Sequence, residues 1–265
     1  MELKPQQGLV GFFDILGYQQ IIDNNDIAIA ARLISTAIIS LPGKVKSVLT
    51  GRFSAGNRSA IESDLSAIEC RVISDSIVAT CPQTGKTPAE IHWNNILFVT
   101  YCAQLLRSSF DAGLPLRGAI DYGEYYLDKD CFAGQPIIDA YRLSCRLPFS
   151  GAVATPKCAK LIDESTESGK PILDRFVSAL LFPMTVELKN MGSQKLYLLN
   201  WISPFSDWGT PPNDIRTFVY TSFHAHNKDI GDSARYKAEL TELTIRKSLS
   251  QTRAPEPKNE IQNIH

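Results

Sequence analysis

The sequence predicts an α+β fold with a ferredoxin-like βαββαβ core and an antiparallel-rich sheet. Short β-prone apolar runs alternate with two long helical stretches in that order, and a further helix and strand follow. The length of 265 residues is sufficient for one such core and an appended piece. We expect a core over 1–165, a hairpin and helix over 166–250 that pack on it, and a disordered polar tail over 251–265.

The first strand and the helix after it are predicted from their apolar patterns and from the residues that end each pattern. Residues 8–13 are β-prone and end at Asp14. Residues 18–41 have helical spacing, and Pro42 with the glycine after it is expected to end the helix. Residues 51–66 are polar and rich in small side chains, so we expect a loop there.

A hairpin and a long helix complete the first half of the core. The β-prone runs 67–73 and 77–81 flank Ser-Asp-Ser, which predicts a hairpin with Asp75 at its tip. Residues 89–112 form a long apolar helical pattern, and Gly113 is suited to the position that ends it.

The second half repeats this alternation and then continues into the extension. Within the helical segment 134–147 we expect Ile137, Ile138, Tyr141 and Leu143 to face inward. The remaining predictions are a strand at 116–122, a hairpin arm or loop at 125–132, a strand at 153–155, a helix at 156–162, a hairpin of 185–189 with 195–201, a loop at 204–214 and an amphipathic helix at 232–249.

Composition narrows the possible functions. The formal net charge of -1 gives no basis for a broad nucleic-acid or membrane surface. The six cysteines form no C-x-x-C pair, which argues against a structural zinc site and favours reduced thiols. No apolar run approaches the length of a membrane-spanning helix, and the first residues lack the pattern of a signal peptide. We therefore expect a soluble, cytoplasmic protein.

Two aspartates have the placement of a catalytic pair. Asp14 ends the first strand and Asp75 lies at a hairpin tip, and in a ferredoxin-like sheet the first and third strands lie side by side. Two close carboxylates repel each other unless a cation lies between them or one is protonated. Hard oxygen ligands suit Mg²⁺ or Mn²⁺ when phosphate oxygens complete the shell. The alternative is that each aspartate only caps a helix or a turn.

The histidines do not add to this pair. His224 and His226 alternate, so they would lie on one face of a strand, where two imidazoles can bind a metal. No third ligand is in view near them. We therefore interpret both as surface residues.

Four segments, in chain order, resemble motifs of class III nucleotidyl cyclases. They are 12–18 (FFDILGY), similar to F-x-D-I-x-G-F; 73–76 (ISDS), similar to the hairpin acid; 116–123 (LRGAIDYG), similar to R-x-G-I-x-x-G; and 132–142 (FAGQPIIDAYR), similar to G-x-x-V-N-x-A-x-R. The resemblance spans residues 8–165 and is strongest to the bacterial Pycsar pyrimidine cyclases of anti-phage defence. Those enzymes make cyclic UMP or cyclic CMP, which a separate effector senses.

The resemblance implies a class III cyclase domain that forms a head-to-tail homodimer with active sites at the interface. Asp14 and Asp75 would hold two divalent metal ions, Mn²⁺ or Mg²⁺, and the Ile15 carbonyl would be a further ligand. Backbone N–H groups after the first strand would face the phosphates. Those groups belong to Leu16, Gly17 and Tyr18.

The resemblance also places base-reading and transition-state groups. Arg71 falls where purine cyclases have a base-reading lysine, and Arg142 falls at the transition-state arginine. The helix asparagine that orients the ribose is replaced by Ile138. The base-reading acid of adenylyl cyclases is replaced by Cys131, with Asp130 beside it. These departures argue against an ordinary adenylyl cyclase.

Each arginine has a structural alternative. Arg142 can be an exposed helix residue, Arg71 can be a strand residue on a solvent face, and Arg117 fits a structural or interfacial role better than a catalytic one. Arg71 has only donors, which suit the O2 and O4 acceptors of uracil, whereas Asp130 would suit the amine of cytosine.

The expected reaction is therefore conversion of UTP to 3′,5′-cyclic UMP and pyrophosphate. The alternative substrate is CTP, which would give cyclic CMP. A non-catalytic cyclase-like module that binds a nucleotide or dimerises is the alternative from another class, and a structural domain is a third. No nucleic acid or membrane partner is expected.

Overall fold

The structure is a computed structural model, and it describes most of the chain. Within the described residues an eight-stranded sheet is combined with helices, which is the α+β class that the sequence predicts. The described ranges are 4–52, 55–84, 86–128, 131–166, 179–202, 213–229 and 231–252.

The sheet joins the core strands and the extension. Its order is β2-β3-β1-β4-β6-β8-β7, and β5 pairs with β4 off this path. Strand β1 is antiparallel to both β3 and β4, while β4 and β6 are parallel. Because β8 pairs with β6, the C-terminal hairpin continues the same sheet. The strands are β1 (Gln6–Ile15), β2 (Glu69–Ile73), β3 (Ser76–Pro82), β4 (Leu116–Leu127), β5 (Phe132–Gly134), β6 (Gly151–Ala154), β7 (Leu181–Leu188) and β8 (Gly192–Leu199).

The helices cover the sheet. A π-helical turn, Ile34–Ile39, joins α2 to α3. The long helix α5 starts with a reciprocal capping box between Thr87 and Glu90. The helices are α1 (Tyr18–Asp23), α2 (Ile27–Leu33), α3 (Leu41–Gly51), α4 (Arg58–Ser66), α5 (Pro88–Asp111), α6 (Gln135–Arg146), α7 (Pro156–Thr166), α8 (Ile215–His224) and α9 (Asp232–Thr252).

The two sheet faces have separate apolar cores, because successive strand side chains point to opposite sides. Leu9 of β1 and Phe98 of α5 belong to the larger core, to which α8 and α9 also contribute. Phe12 of β1 and Ile137 of α6 belong to the second core. Asp14 follows Phe12 at a spacing of two, so it shares the face that α6 covers.

The expectation of a helix end at Pro42 and a loop over 51–66 was wrong. Pro42 lies in the first turn of α3, where its missing N–H costs no hydrogen bond. Residues 58–66 form α4 because Ile61 and Leu65, four positions apart, both bury against the core. Asp64 also accepts a hydrogen bond of 2.8 Å from the Trp93 indole.

Two further expectations were wrong, the first of them because of helix phase. Ile138 and Tyr141 are 44% and 50% exposed, since the stripe of α6 that faces the sheet runs through Ile137, Ala140 and Ser144. The segment with His224 is not a strand: His224 ends α8, and the next residues form a 3₁₀ turn.

One described helical stretch, Ile27–Gly51, has the length and apolar composition that would allow it to cross a membrane, and it is 25 residues long. The sequence expectation that no run approaches that length was therefore too strong. Ile27 and Ile29 of this stretch are largely exposed. A single stretch of this kind is weak support for a membrane segment, and we assign none.

Gly113 supplies the first stability prediction. Its φ is +75°, and a Cβ there would lie 2.3 Å from the Ala225 Cβ. Gly113→Ala should lower the free energy of unfolding by about 1–3 kcal/mol in denaturant titrations.

Gly43→Ala is the matched control for this substitution, because a Cβ at Gly43, inside α3, meets nothing within 4 Å. It should raise the free energy of unfolding by about 0.5–1 kcal/mol. Equal effects of the two substitutions would contradict the account of how the segment around Ala225 docks.

Candidate functional site

The predicted acid pair comes together at the end of β1. Asp14 lies opposite Ser76 in the β1–β3 register, and the Ile15 N–H donates to the Asp75 carbonyl at 3.1 Å. Ser74 has a φ of +56°, which gives the hairpin its tight tip beside Asp75. Both aspartates line one open pocket of about 400 Å³.

All six of the metal and phosphate residues predicted from sequence line this acid-pair pocket: Asp14, Ile15, Leu16, Gly17, Tyr18 and Asp75. Arg71, Cys131 and Arg142 do not line it. Asp130 lies outside the described residues. The chain therefore separates the predicted metal and phosphate residues from the predicted base-reading and transition-state residues.

Arg117, for which a structural or interfacial role was expected from sequence, forms an ion pair with Asp14. Its Nε donates to both Asp14 carboxylate oxygens at 2.9 and 3.0 Å, and a terminal nitrogen donates to Oδ2 at 2.7 Å. Another terminal nitrogen donates to the Cys145 carbonyl at 3.2 Å. The two residues are cross-strand partners in β1 and β4, so a register prediction for these strands would have found the pair.

This ion pair is largely buried: 17% of the Arg117 side chain and 14% of the Asp14 side chain are exposed. Burial alone would lower the pKa of Arg117. The hydrogen bonds to Asp14 and its negative charge outweigh burial, so the pKa of Arg117 is raised. The fork geometry and low exposure make this a strong charge-assisted contact.

The donor set fits a divalent cation only in part. Two carboxylates at one pocket are the ligand type that Mg²⁺ and Mn²⁺ prefer. In the described part of the chain no group of three His, Cys, Asp or Glu residues forms a metal cluster. The Asp14 carboxylate is also engaged by Arg117. The residues therefore fit a metal that takes its other ligands from phosphate oxygens, with Arg117 turned away from Asp14.

In the turn after Asp14, one backbone N–H group already donates a hydrogen bond within the chain. Leu16 N–H donates to the Pro115 carbonyl at 2.8 Å, which directs it away from a phosphate. Gly17 has a φ of +82° and lies at the N-cap of α1 without a side-chain cap. A phosphate contact at this turn is consequently a proposal for Gly17 and Tyr18.

The C-terminal extension forms the opposite wall of the pocket through Lys228. This side chain is 4% exposed, and its ammonium donates to the Gly113 carbonyl at 2.7 Å and the Ser222 carbonyl at 3.0 Å. A Cβ on Gly17 would lie 3.1 Å from the Lys228 Cδ, so the lysine stem packs on the turn at Gly17.

The residues before Lys228 hold it in place. Asn25 donates to the His226 carbonyl at 2.9 Å, and Asn24 donates to the Asn227 carbonyl at 2.8 Å. A ring nitrogen of His226 lies 2.7 Å from the Ala112 carbonyl oxygen. His226 therefore serves as a structural clamp, which the sequence reasoning interpreted as a surface residue.

Two more lysines of the extension lie close to the ion pair. Burial and the charge of Arg117 lower the pKa of Lys237, which lines the pocket from α9. Burial, Arg117 and Lys237 lower the pKa of Lys189, which follows β7. The negative charge of Asp14 opposes both shifts without cancelling them. Positive charge is thus in excess beside the acid pair.

The base-reading and transition-state candidates lie on a different part of the surface. Arg71 on β2 donates to its neighbours, the Cys70 carbonyl at 3.1 Å and the Glu69 carboxylate at 3.3 Å. Arg142 on α6 and Cys131 before β5 are exposed. Arg71 pairs with Val78, a member of the core that α6 covers, so it shares a sheet face with α6.

A second cavity, of about 450 Å³, lies between α3 and α4. Its charged lining consists of Lys46, Arg58 and Glu62. The Lys46 ammonium donates to the Ile68 carbonyl at 2.6 Å, which gives it a structural role. With a single carboxylate this cavity lacks the paired acids of the first, so the acid-pair pocket is the candidate functional site.

No protein-family model matches the sequence, and no curated protein matches it. The solved structures to which the chain is similar include guanylyl and adenylyl cyclase domains. The catalytic core of a rhodopsin–guanylyl cyclase with converted specificity, in complex with ATPαS, is 13% identical over 75% of this chain and 98% of its own, with a TM-score of 0.48. The monomeric guanylyl cyclase domain of the RhoGC fusion protein from the aquatic fungus Blastocladiella emersonii is 9% identical over the same shares, with a TM-score of 0.48.

An adenylate/guanylate cyclase/hydrolase from Silicibacter pomeroyi is 12% identical over 75% of this chain and 98% of its own, with a TM-score of 0.38. These likenesses concern the fold alone. The assignment of an activity therefore rests on the residues of this chain.

The burial of Lys228 should make the free energy of unfolding depend on pH. Burial lowers its pKa from 10.5 to about 8, so between these values the folded state binds fewer protons than the unfolded state. Stability should therefore rise with pH across this window, by about 3 kcal/mol relative to Lys228→Met, in denaturant titrations of both proteins. A difference between the two proteins that stays constant from pH 8 to 10 would contradict a buried, cationic Lys228.

Proposed function

We propose that the protein is a metal-dependent nucleotidyl cyclase that converts a nucleoside triphosphate to a 3′,5′-cyclic nucleotide and pyrophosphate. The observation that carries this proposal is the pocket in which Asp14 and Asp75 meet, next to an excess of cationic side chains. Carboxylates can hold divalent ions, and the cations can neutralise a triphosphate. Three of the four segments that resemble class III cyclase motifs, 12–18, 73–76 and 116–123, contribute residues to this pocket.

The proposed roles follow from position. Asp14 and Asp75 hold the metals, and the Ile15 carbonyl at the end of β1 is the candidate for a further ligand. Divalent metal ions supply activation of the attacking 3′-hydroxyl and charge neutralisation of the leaving pyrophosphate. The protein contributes position and electrostatics, which is the main requirement of phosphoryl transfer. Arg117 would leave Asp14 and turn to phosphate.

The substrate is proposed to be UTP, and the product cyclic UMP. Support comes from the sequence resemblance to Pycsar cyclases and from the donor-only chemistry of Arg71, which suits uracil oxygens. Cyclic CMP from CTP is the alternative, and Asp130 with Cys131 would then face the cytosine amine. Arg142 is proposed to stabilise the transition state.

A homodimer is the proposed functional state, because Arg71 and Cys131, the base-reading candidates among the described residues, do not line the acid-pair pocket of their own chain. The face they occupy also exposes Ile73, Ile138 and Tyr141, which are 48%, 44% and 50% exposed. We propose that this face meets the acid-pair pocket of a second copy. A cytoplasmic location, a role in anti-phage signalling and a separate effector for the product follow from the resemblance alone.

A second candidate is a catalytically silent module that binds a nucleotide without turnover. The observation that favours it is the Arg117 guanidinium, which already satisfies both Asp14 oxygens. A permanent ion pair would exclude a metal from Asp14. The Arg117 guanidinium would then occupy the place of the catalytic metal ion at Asp14.

The test is product formation from each of four nucleoside triphosphates with Mn²⁺ or Mg²⁺. UTP should give cyclic UMP, and Asp14→Asn and Asp75→Asn should each lower the rate by about 100-fold or more. Asp23→Asn, an exposed aspartate at the end of α1, is the matched control and should keep the wild-type rate.

The outcomes separate the candidates. Cyclic AMP as the main product would refute the pyrimidine substrate. Wild-type rates in both Asp14→Asn and Asp75→Asn would refute the site. Nucleotide binding without any product would favour the silent module, provided that thermal unfolding shows each variant folded.

A further inference from the structure

Lys237 differs from the other cations of the acid-pair pocket in what its ammonium contacts. It lies on α9, is half-buried, and lines the acid-pair pocket. Its ammonium makes no hydrogen bond or ion pair with any described residue. Lys228 differs, because two carbonyl groups accept from its ammonium. The Lys237 ammonium is therefore free to form hydrogen bonds with an anionic ligand in the pocket, where the Asp14 charge only partly offsets the effects of burial and of Arg117.

The charge around Lys237 has an excess of positive sign. The charged residues that line the pocket are three cations and two carboxylates, and one carboxylate is consumed by Arg117. Lys189, which follows β7, adds a fourth positive charge, and its pKa is lowered by burial and by the charges of Arg117 and Lys237. This balance is unfavourable for a neutral ligand or a lone metal ion, and it is favourable for a polyanion.

The first turn of α9 faces the same space. Ser233 and Ala234 line the pocket with Lys237, which lies one turn further along the helix. The positive end of a long helix and an ammonium one turn away act on the same region. Arg117 on β4 lines the same pocket, so cationic groups from the sheet and from α9 both lie beside the acid pair.

We propose that Lys237 of the C-terminal extension binds the terminal phosphates of the nucleotide held by Asp14 and Asp75 of the same chain. The proposal rests on the proposed function for the identity of the nucleotide, and it makes the extension part of the substrate site. Lysine suits this role because it interacts with phosphate as a point charge on a flexible stem. The extension therefore completes the pocket rather than only lengthening the sheet.

The test measures binding of inorganic tripolyphosphate to the full chain by calorimetry, without metal and without turnover. Lys237→Gln should weaken this binding by about 10-fold, since one charge-assisted contact is lost. Lys247→Gln removes the same charge from an exposed position on α9 and should leave the affinity unchanged. Lys237→Arg keeps the charge and should retain most of the affinity.

The kinetic signature should agree with the binding. Lys237→Gln should raise KM for the nucleotide more than it lowers kcat, because the terminal phosphates are held in the ground state as well as during reaction. Tripolyphosphate affinity that is equal in wild type, Lys237→Gln and Lys247→Gln would overturn the proposal, even if cyclic nucleotide is formed.

Failure of the two proposals can be told apart. If no triphosphate is cyclised but tripolyphosphate binding still depends on Lys237, the proposed activity fails and the anion site stands. If cyclic nucleotide forms at wild-type KM in Lys237→Gln, the activity stands and the role of Lys237 is refuted.

Discussion

The cross-strand ion pair between Asp14 and Arg117 is the interaction on which the rest of the site depends. It joins β1 to β4 at the centre of the sheet, and its fork geometry fixes the direction of the carboxylate. A carboxylate at this depth is costly without a cation, so either a guanidinium or a metal has to be present. The ion pair thus stabilises the ionised Asp14 carboxylate at the edge of the pocket.

The C-terminal extension has a larger part in the site than a peripheral domain would have. Its hairpin continues the sheet, and α8 and α9 contribute to the larger core. Lys228 is buried against the turn at Gly17, and Lys237 reaches the pocket from α9. Lysines more than 200 positions from Asp14 therefore add to the positive charge that Arg117 already places beside the acid pair.

The sequence predicted the acid pair because strand ends and hairpin tips are local features with strong signals, as at Asp14 and Asp75. It did not predict α4, because Ile61 and Leu65 are the only large apolar residues of an otherwise polar segment and give a weak helical pattern. It also missed Arg117, Lys228 and Lys237 as pocket residues. Their positions depend on strand register and on the docking of α9, which are tertiary properties that spacing along the chain does not encode.

The central claim is that Asp14 and Asp75 together hold a divalent ion on a nucleoside triphosphate. Electron paramagnetic resonance of Mn²⁺ with a non-hydrolysable UTP analogue measures this directly. The account predicts bound Mn²⁺ in the wild type, loss of most of that binding in both Asp14→Asn and Asp75→Asn, and full binding in Asp23→Asn. Wild-type Mn²⁺ binding in either of the two pocket variants would contradict it.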